Sequence, residues 1–316
     1  MKHITLALVA GGALAASPAF AQDTTDPNAG ATTEAGTETP ADPNAPPADG
    51  TQPAAAPTPA AGMGPSLTLV DKGKILIAGS TVNINMSADA VGKPISLSPS
   101  VWYGVNEKLS VGLTHDQGTT PYTPRPGLRI TTIPNPLDPT MSIQAAGAGG
   151  ICFTGEDNGC PKVYDNIGVD ALYGISNDKF SMAAHPGLDV FAFDPFILQL
   201  RVGLLGRYMA SDKLSIVFDP RITIGLTERD VNKEAIDVPV WVWFNVNEKL
   251  GVYGSTGIAG AFDGFGDTYR IPLQFGASFA VNQQLTVGGD FEFFNLLGSN
   301  SSADGRMLAL RVAYRL

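Results

Sequence analysis

The sequence predicts an all-β fold, an antiparallel up-and-down β-barrel of about twelve strands. Three observations predict it. From about residue 74 onward side chains alternate apolar and polar with a period of two, charges within each alternating segment fall on one parity, and one short polar turn recurs at near-constant spacing. Composition removes other classes. With 20 Lys and Arg against 30 Asp and Glu in 316 residues, a net charge of -10 leaves no basic footprint for nucleic acid. Past the first twenty residues no apolar run reaches the 18 or more residues that a spanning helix needs.

The chain opens with Lys2, an apolar stretch from Ile4 to about Ala16, and then Ser17-Pro18 and Ala19-Phe20-Ala21. That order of charge, apolar run and small-x-small site reads as a signal peptide over residues 1–21, cleaved after Ala21. No Cys stands at the new N-terminus, so no lipid anchor is expected there. Residues 22–64 hold no Val, Ile, Leu, Phe, Tyr or Trp and cannot bury enough surface to offset the entropy of ordering, which predicts a disordered linker. Its six charges, Asp23, Asp26, Glu34, Glu38, Asp42 and Asp49, are all acidic. Like charge and frequent proline favour extended chain with a reach of roughly 130 Å, at about 3.1 Å per residue, enough to tether a domain. The barrel is expected over residues 65–316.

Its first strand sets Val82, Ile84 and Met86 against Thr81, Asn83 and Asn85. Further along, Leu198, Leu200, Val202 and Leu204 oppose Gln199, Arg201, Gly203 and, past them, Arg207. Ile216, Phe218, Ile222 and Ile224 oppose Ser215, Asp219, Arg221 and Thr223; Leu273, Phe275 and Phe279 oppose Arg270, Gln274 and Ser278; Val287, Phe291 and Phe293 oppose Asp290 and Glu292. The last segment sets Leu308, Leu310, Val312, Tyr314 and Leu316 against Arg311 and Arg315. Between strands the turns Asn106-Glu107-Lys108, Asn177-Asp178-Lys179, Ser211-Asp212-Lys213, Asn247-Glu248-Lys249 and Asn282-Gln283-Gln284 repeat at spacings of 71, 34, 36 and 35 residues. One hairpin per interval, with the first interval doubled, is the signature of a reused strand pair. The doubled interval holds a long segment from about Gln117 to Pro161.

A soluble sheet with its apolar face inward and a membrane barrel with that face outward both fit an alternating meander. Four features favour the membrane barrel. Turns are tight at one end and longer at the other. The polar face is rich in Gly, Ser, Asn and Arg, which suit a hydrated lumen. Strands of about 9 to 11 residues match a tilted bilayer crossing. The chain ends on an alternating strand. With these features residues 74–316 resemble the porin-like β-barrel proteins of the Gram-negative outer membrane, and no specific family among them. The resemblance implies outer-membrane lipid around the barrel and a linker in the periplasm. It also implies that Val312, Tyr314 and Leu316 are the assembly signal read by the barrel-assembly machinery, although Leu rather than Phe or Trp stands last. Pro99, Pro220, Pro239 and Pro272 run against a closed ladder, and bulges near strand ends are expected to absorb them.

On these strand phases Asp170, Arg201, Arg207, Asp219, Arg221, Arg270, Asp290, Glu292 and Arg311 line the lumen with signs that nearly cancel. They can pair and stiffen the wall, or form opposed charged faces in a passive pore for small solutes. Twelve strands lie between the filled and the open barrel sizes, so a narrow or loop-constricted pore is expected. The constriction candidate is the 117–161 segment, stiffened by Pro121, Pro124, Pro126, Pro134, Pro136 and Pro139. In an oxidising compartment Cys152 and Cys160 are expected to form a disulfide. Glu156, Asp157 and Asn158 between them match no EF-hand spacing, and neither a metal site nor a cofactor is expected. With His3 removed in the signal peptide, His115 and His185 remain, and neither adjoins a nucleophile motif, so no enzyme is expected. The runner-up to a channel is a closed barrel that serves as a scaffold, its loops and tail contacting partners and the cell wall.

Overall fold

The computed structural model describes residues 69–316 except 89, 116–127, 136–137, 149, 156–157, 159, 161, 165 and 300. The expected signal peptide and linker lie outside the described residues, as do Pro121, Pro124, Pro126 and Pro136. In chain order the strands are β1 (Ile75–Asn85), β2 (Ile95–Asn106), β3 (Leu109–Thr114), β4 (Leu128–Asn135), β5 (Asp138–Ala148), β6 (Ile151–Cys152), β7 (Ile167–Asn177), β8 (Phe180–Ala184) and β9 (Gly187–Phe193). They continue as β10 (Phe196–Met209), β11 (Leu214–Phe218), β12 (Arg221–Gly225), β13 (Ala235–Asn245), β14 (Leu250–Ala261), β15 (Leu273–Ala280), β16 (Leu285–Asn295) and β17 (Ser302–Arg315). One short helix, α1 (Phe265–Thr268), precedes β15.

Sequential antiparallel pairing closes these strands into a barrel of twelve positions: β1, β2, β3, β7, β8 with β9, β10, β11 with β12, β13, β14, β15, β16 and β17. The closing seam is the pairing of β1 with β17, where Leu76 meets Arg315 and Ile84 meets Leu308, while β1 also pairs with β2. Closure leaves no unpaired edge, which is the condition for a sheet to cross a bilayer. Strands β4 and β5 form a hairpin in a sheet of their own, and β6 extends the ladder of β2 beyond β3.

The repeated polar turns sit at one end, and their first residue explains why they recur. Asn106, Asn247 and Asn282 each accept a backbone N–H two residues on at 2.8 Å through the side-chain oxygen. Ser211 does the same through its hydroxyl at 3.3 Å. Asn and Ser offer the backbone this local acceptor, so each turn reverses the chain in few residues. The opposite end carries the longer connections, with the exception of the two residues Asp194-Pro195 between β9 and β10.

Period-two alternation becomes an outward and an inward face. Val101, Tyr173, Leu188, Val202, Ile222, Val242, Phe275, Val287, Leu310 and Val312 are exposed on the outside. Apolar exposure of this extent around a closed barrel has a physical role only against lipid. Among the described residues no helix is long and apolar enough to cross a membrane, and the crossing is made by strands.

The expected placement near strand ends holds for two of the prolines and fails for two. Pro272 stands just before β15 and Pro220 just before β12, between it and β11, whereas Pro99 and Pro239 are inside β2 and β13. Each sits where a neighbour offers no ladder partner. Pro99 faces the step from β6 to β3 on one side and the β1 bulge between Ala78 and Thr81 on the other. Pro239 accepts the Asp219 N–H at 3.3 Å, so its own nitrogen, on the same side of an extended strand, faces the break at Pro220. Pro186 likewise separates β8 from β9, and Pro186, Gly203, Pro220 and Pro239 follow one another across adjacent strands. The missing donors are thus gathered into one line of the wall.

Candidate functional site in the barrel interior

The residues before two of these prolines, His185 and Asp219, are held extended by the proline that follows and point into the barrel. There they meet charges from four neighbouring strands, β7, β9, β10 and β12. His185 Nδ1 lies 3.3 Å from Asp219 Oδ1, and its Nε2 lies 3.7 Å from Asp170 Oδ1. Asp219 also pairs with Arg221 across Pro220. Asp170 Oδ2 accepts from Arg201 Nη2 at 3.1 Å and from the Thr114 hydroxyl at 2.6 Å. Asp189 Oδ1 lies 4.0 Å from Arg201 Nη2. Three carboxylates therefore face two guanidiniums and one imidazole, and all six are buried. Glycine provides the room: a Cβ on Gly187 would overlap Asp170 Oδ1.

A second polar system lines β14 to β17. The Ser255 hydroxyl donates to Gln274 Oε1 at 2.9 Å, and Gln274 Nε2 donates to Asp290 Oδ1 at 2.5 Å. Arg311 then donates to both Asp290 oxygens, from Nε at 2.5 Å and from Nη2 at 2.9 Å. Glu292, buried two residues along the same face, lies opposite Gln274.

Of the nine sequence-derived charges, the structure brings together Asp170, Arg201, Asp219 and Arg221 in one cluster and Asp290 with Arg311 in another. Arg207 stands apart, buried nearer the tight turns opposite Ser181. Arg270 stands before β15, bridged through its backbone to Ala259. Thr114, His185, Asp189, Ser255 and Gln274 join these systems although sequence reasoning did not select them. His185 in particular lies directly after β8, in the break before β9. Cys152 and Cys160 are joined as a disulfide with a Cα separation of 5.7 Å. Val312, Tyr314 and Leu316 are exposed on the outer face.

Toward the tight turns the inward face changes character. Leu76, Ala78, Trp102, Leu172, Ala183, Leu205, Val217, Trp241, Trp243 and Tyr253 form one buried apolar cluster drawn from β1, β2, β7, β8, β10, β11, β13 and β14. The Trp102 and His185 ring centroids are 6.2 Å apart, so the charged cluster rests directly on this layer. The sequence reading describes the inward face as rich in Gly, Ser, Asn and Arg and expects no apolar layer on it. Trp241 and Trp243 share the parity of Asp237 and Asn245, and that spacing was the signal for an aromatic layer inside.

No protein-family model matches this chain, and no curated protein matches it. Among solved structures it is similar to the NanC porin, with a TM-score of 0.48 at 7% identity over 77% of this chain and 100% of that one. It is similar as well to the KdgM porin in complex with disordered oligogalacturonate, with a TM-score of 0.46 at 8% identity over 76% of this chain and 98% of that one. A third is an outer membrane channel from Pseudomonas putida F1, with a TM-score of 0.45 at 8% identity over 79% of this chain and 97% of that one.

Proposed function

We propose that this chain is a porin-like channel of the Gram-negative outer membrane that passes small solutes, narrowed at its tight-turn end. The observation that carries the proposal is the inversion of the wall: lipid-compatible outside, and inside two hydrogen-bonded charged systems from β3–β12 and β14–β17. Charges that hold one another in place stiffen the wall, and Arg311, the part-exposed member of the second system, offers a fixed positive charge to a passing solute. Export by the 1–21 segment, a periplasmic linker over 22–64, and recognition of Val312, Tyr314 and Leu316 by the assembly machinery complete this reading. Catalysis is not part of it. His185 is held between two carboxylates and screened from solvent, where no substrate reaches it.

A second reading, a closed barrel acting as a scaffold, is favoured by one specific observation, the apolar cluster contributed from eight of the twelve positions. Planar-bilayer recording of the refolded full chain separates the two. Discrete conductance steps are expected. Their absence from a sample whose mobility on a denaturing gel is heat-dependent, and which is therefore folded, supports the scaffold. Arg311→Ala should shift ion selectivity toward cations. Unchanged selectivity in a conducting pore would make Arg311 a wall-stabilising group only.

A further inference from the structure

We propose that residues 69–72 form a displaceable plug in the tight-turn mouth of the barrel, a proposal that rests on the channel reading. Before entering β1 the chain lies inside the wall. Leu69 and Val70 pack half-buried against the apolar cluster of Trp102, Leu172 and Ala183, whereas Asp71 and Lys72 are exposed. Among the described residues the anchors are few. Val70 N–H donates to the Ser110 hydroxyl at 3.0 Å, the Gly73 N–H donates to Gly104 O at 2.8 Å, and the Gly104 N–H donates to Lys74 O at 3.1 Å. A segment held by two partly buried side chains and a handful of hydrogen bonds belongs to the low-stability end of local opening.

The wall is shaped to receive it. Gly104 faces inward, and a Cβ there would overlap the carbonyl oxygens of Val70 and Asp71. A Cβ on Gly174 would come within 3.2 Å of Leu69 Cδ1. Neither glycine has the positive φ that would itself demand glycine, so close approach of the segment is what these positions accommodate. Beside the segment a cavity of about 380 Å³, lined by Leu69, Lys72, Glu107, Lys108, Gly174 and Ser176 among others, leaves it room to shift without disturbing the strands. The expected linker enters the barrel through this segment, so tension or binding on the linker would act on the plug directly.

The test separates the plug from the channel. Gly104→Ala evicts the segment from the wall side, and L69D/V70D evicts it from its own side. Ser110 is fully buried beneath the segment. In a Ser110→Cys background, reaction of the full chain in detergent with a water-soluble maleimide reports on the cover whether or not the pore conducts; the native cysteines are paired and silent. Both variants should accelerate labelling by roughly tenfold or more, as expected when the open population rises, and should raise single-channel conductance. Unchanged labelling in folded, conducting variants overturns the plug and leaves the channel standing. Faster labelling with silent bilayers supports the mouth cover and overturns the channel reading.

Discussion

The wall from β7 to β12 and the wall from β14 to β17 both place ionisable groups inside a membrane barrel, with different geometry. On the first, prolines interrupt two positions, and side chains from five neighbouring strands converge on one point around His185. On the second the strands run unbroken past these groups, and each group reaches only the next strand, either directly opposite or one step along the diagonal. Ser255 is directly opposite Gln274, while Asp290 reaches Arg311 diagonally because Arg311 is opposite Gly288. Unbroken ladders give chains of pairwise contacts. Broken ladders free backbone direction locally, so several charges share one site, with Asp170 and Asp219 each serving more than one partner. The first wall should therefore fail as a unit and the second link by link.

The largest expected effect follows from the convergent cluster. Asp219→Ala removes the carboxylate that faces both His185 and Arg221 and leaves a buried guanidinium without it, which should cost about 3–5 kcal/mol. Urea unfolding in lipid vesicles, followed by tryptophan fluorescence, measures this, with Trp102 close by as reporter. Asp219→Asn keeps the shape and should cost nearly as much, because the charge balance is what is lost. A cost under about 1 kcal/mol, the scale of an exposed pair, would mean that water enters the cluster.

A smaller effect is expected on the regular wall. Asp290→Asn turns a bidentate ion pair into a single contact between the Arg311 guanidinium and a neutral amide oxygen, and the Arg311 side chain, 13% exposed, can recover hydration. The expected loss is about 2 kcal/mol, within the range for hydrogen bonds to charged groups. If Asp290→Asn proved as costly as Asp219→Ala, the contrast between the walls would be wrong.

Much of the fold was legible because alternation and turn chemistry are local. Asn106, Asn247 and Asn282 announce their turns from three residues each, and a spacing of two sorts Asp290 from Phe291 without any knowledge of the neighbours. What escaped depends on register between strands. That Asp290 meets Arg311, 21 residues away, rather than a closer charge is fixed only by the β16–β17 pairing. Pro186, Pro220 and Pro239 each look like a strand end when read alone, and only the pairing of the strands shows that they lie close together in one stretch of the wall. His185 adjoins no nucleophile motif in the sequence, and its carboxylate partners, Asp170 and Asp219, come to it only through the fold. Residues 69–72 escaped because four residues are too few for any periodicity.

The smallest expected effect tests whether the regular wall is a set of links or a network. Gln274→Met preserves side-chain length and removes both contacts, to Ser255 and to Asp290, while Asp290 keeps both Arg311 donors. One of the lost contacts is to a carboxylate that keeps both its Arg311 donors, so the change should cost about 1–1.5 kcal/mol. If the links are independent, Gln274→Met combined with Asp290→Asn should cost the sum of the two single changes to within about 0.5 kcal/mol, apart from their one shared contact. A coupling well above that contact's own worth would show that polarisation runs along the chain from Ser255 to Arg311. The wall of β14 to β17 would then act as one unit despite its regular register, and proline breaks would not be needed to make a barrel interior cooperative.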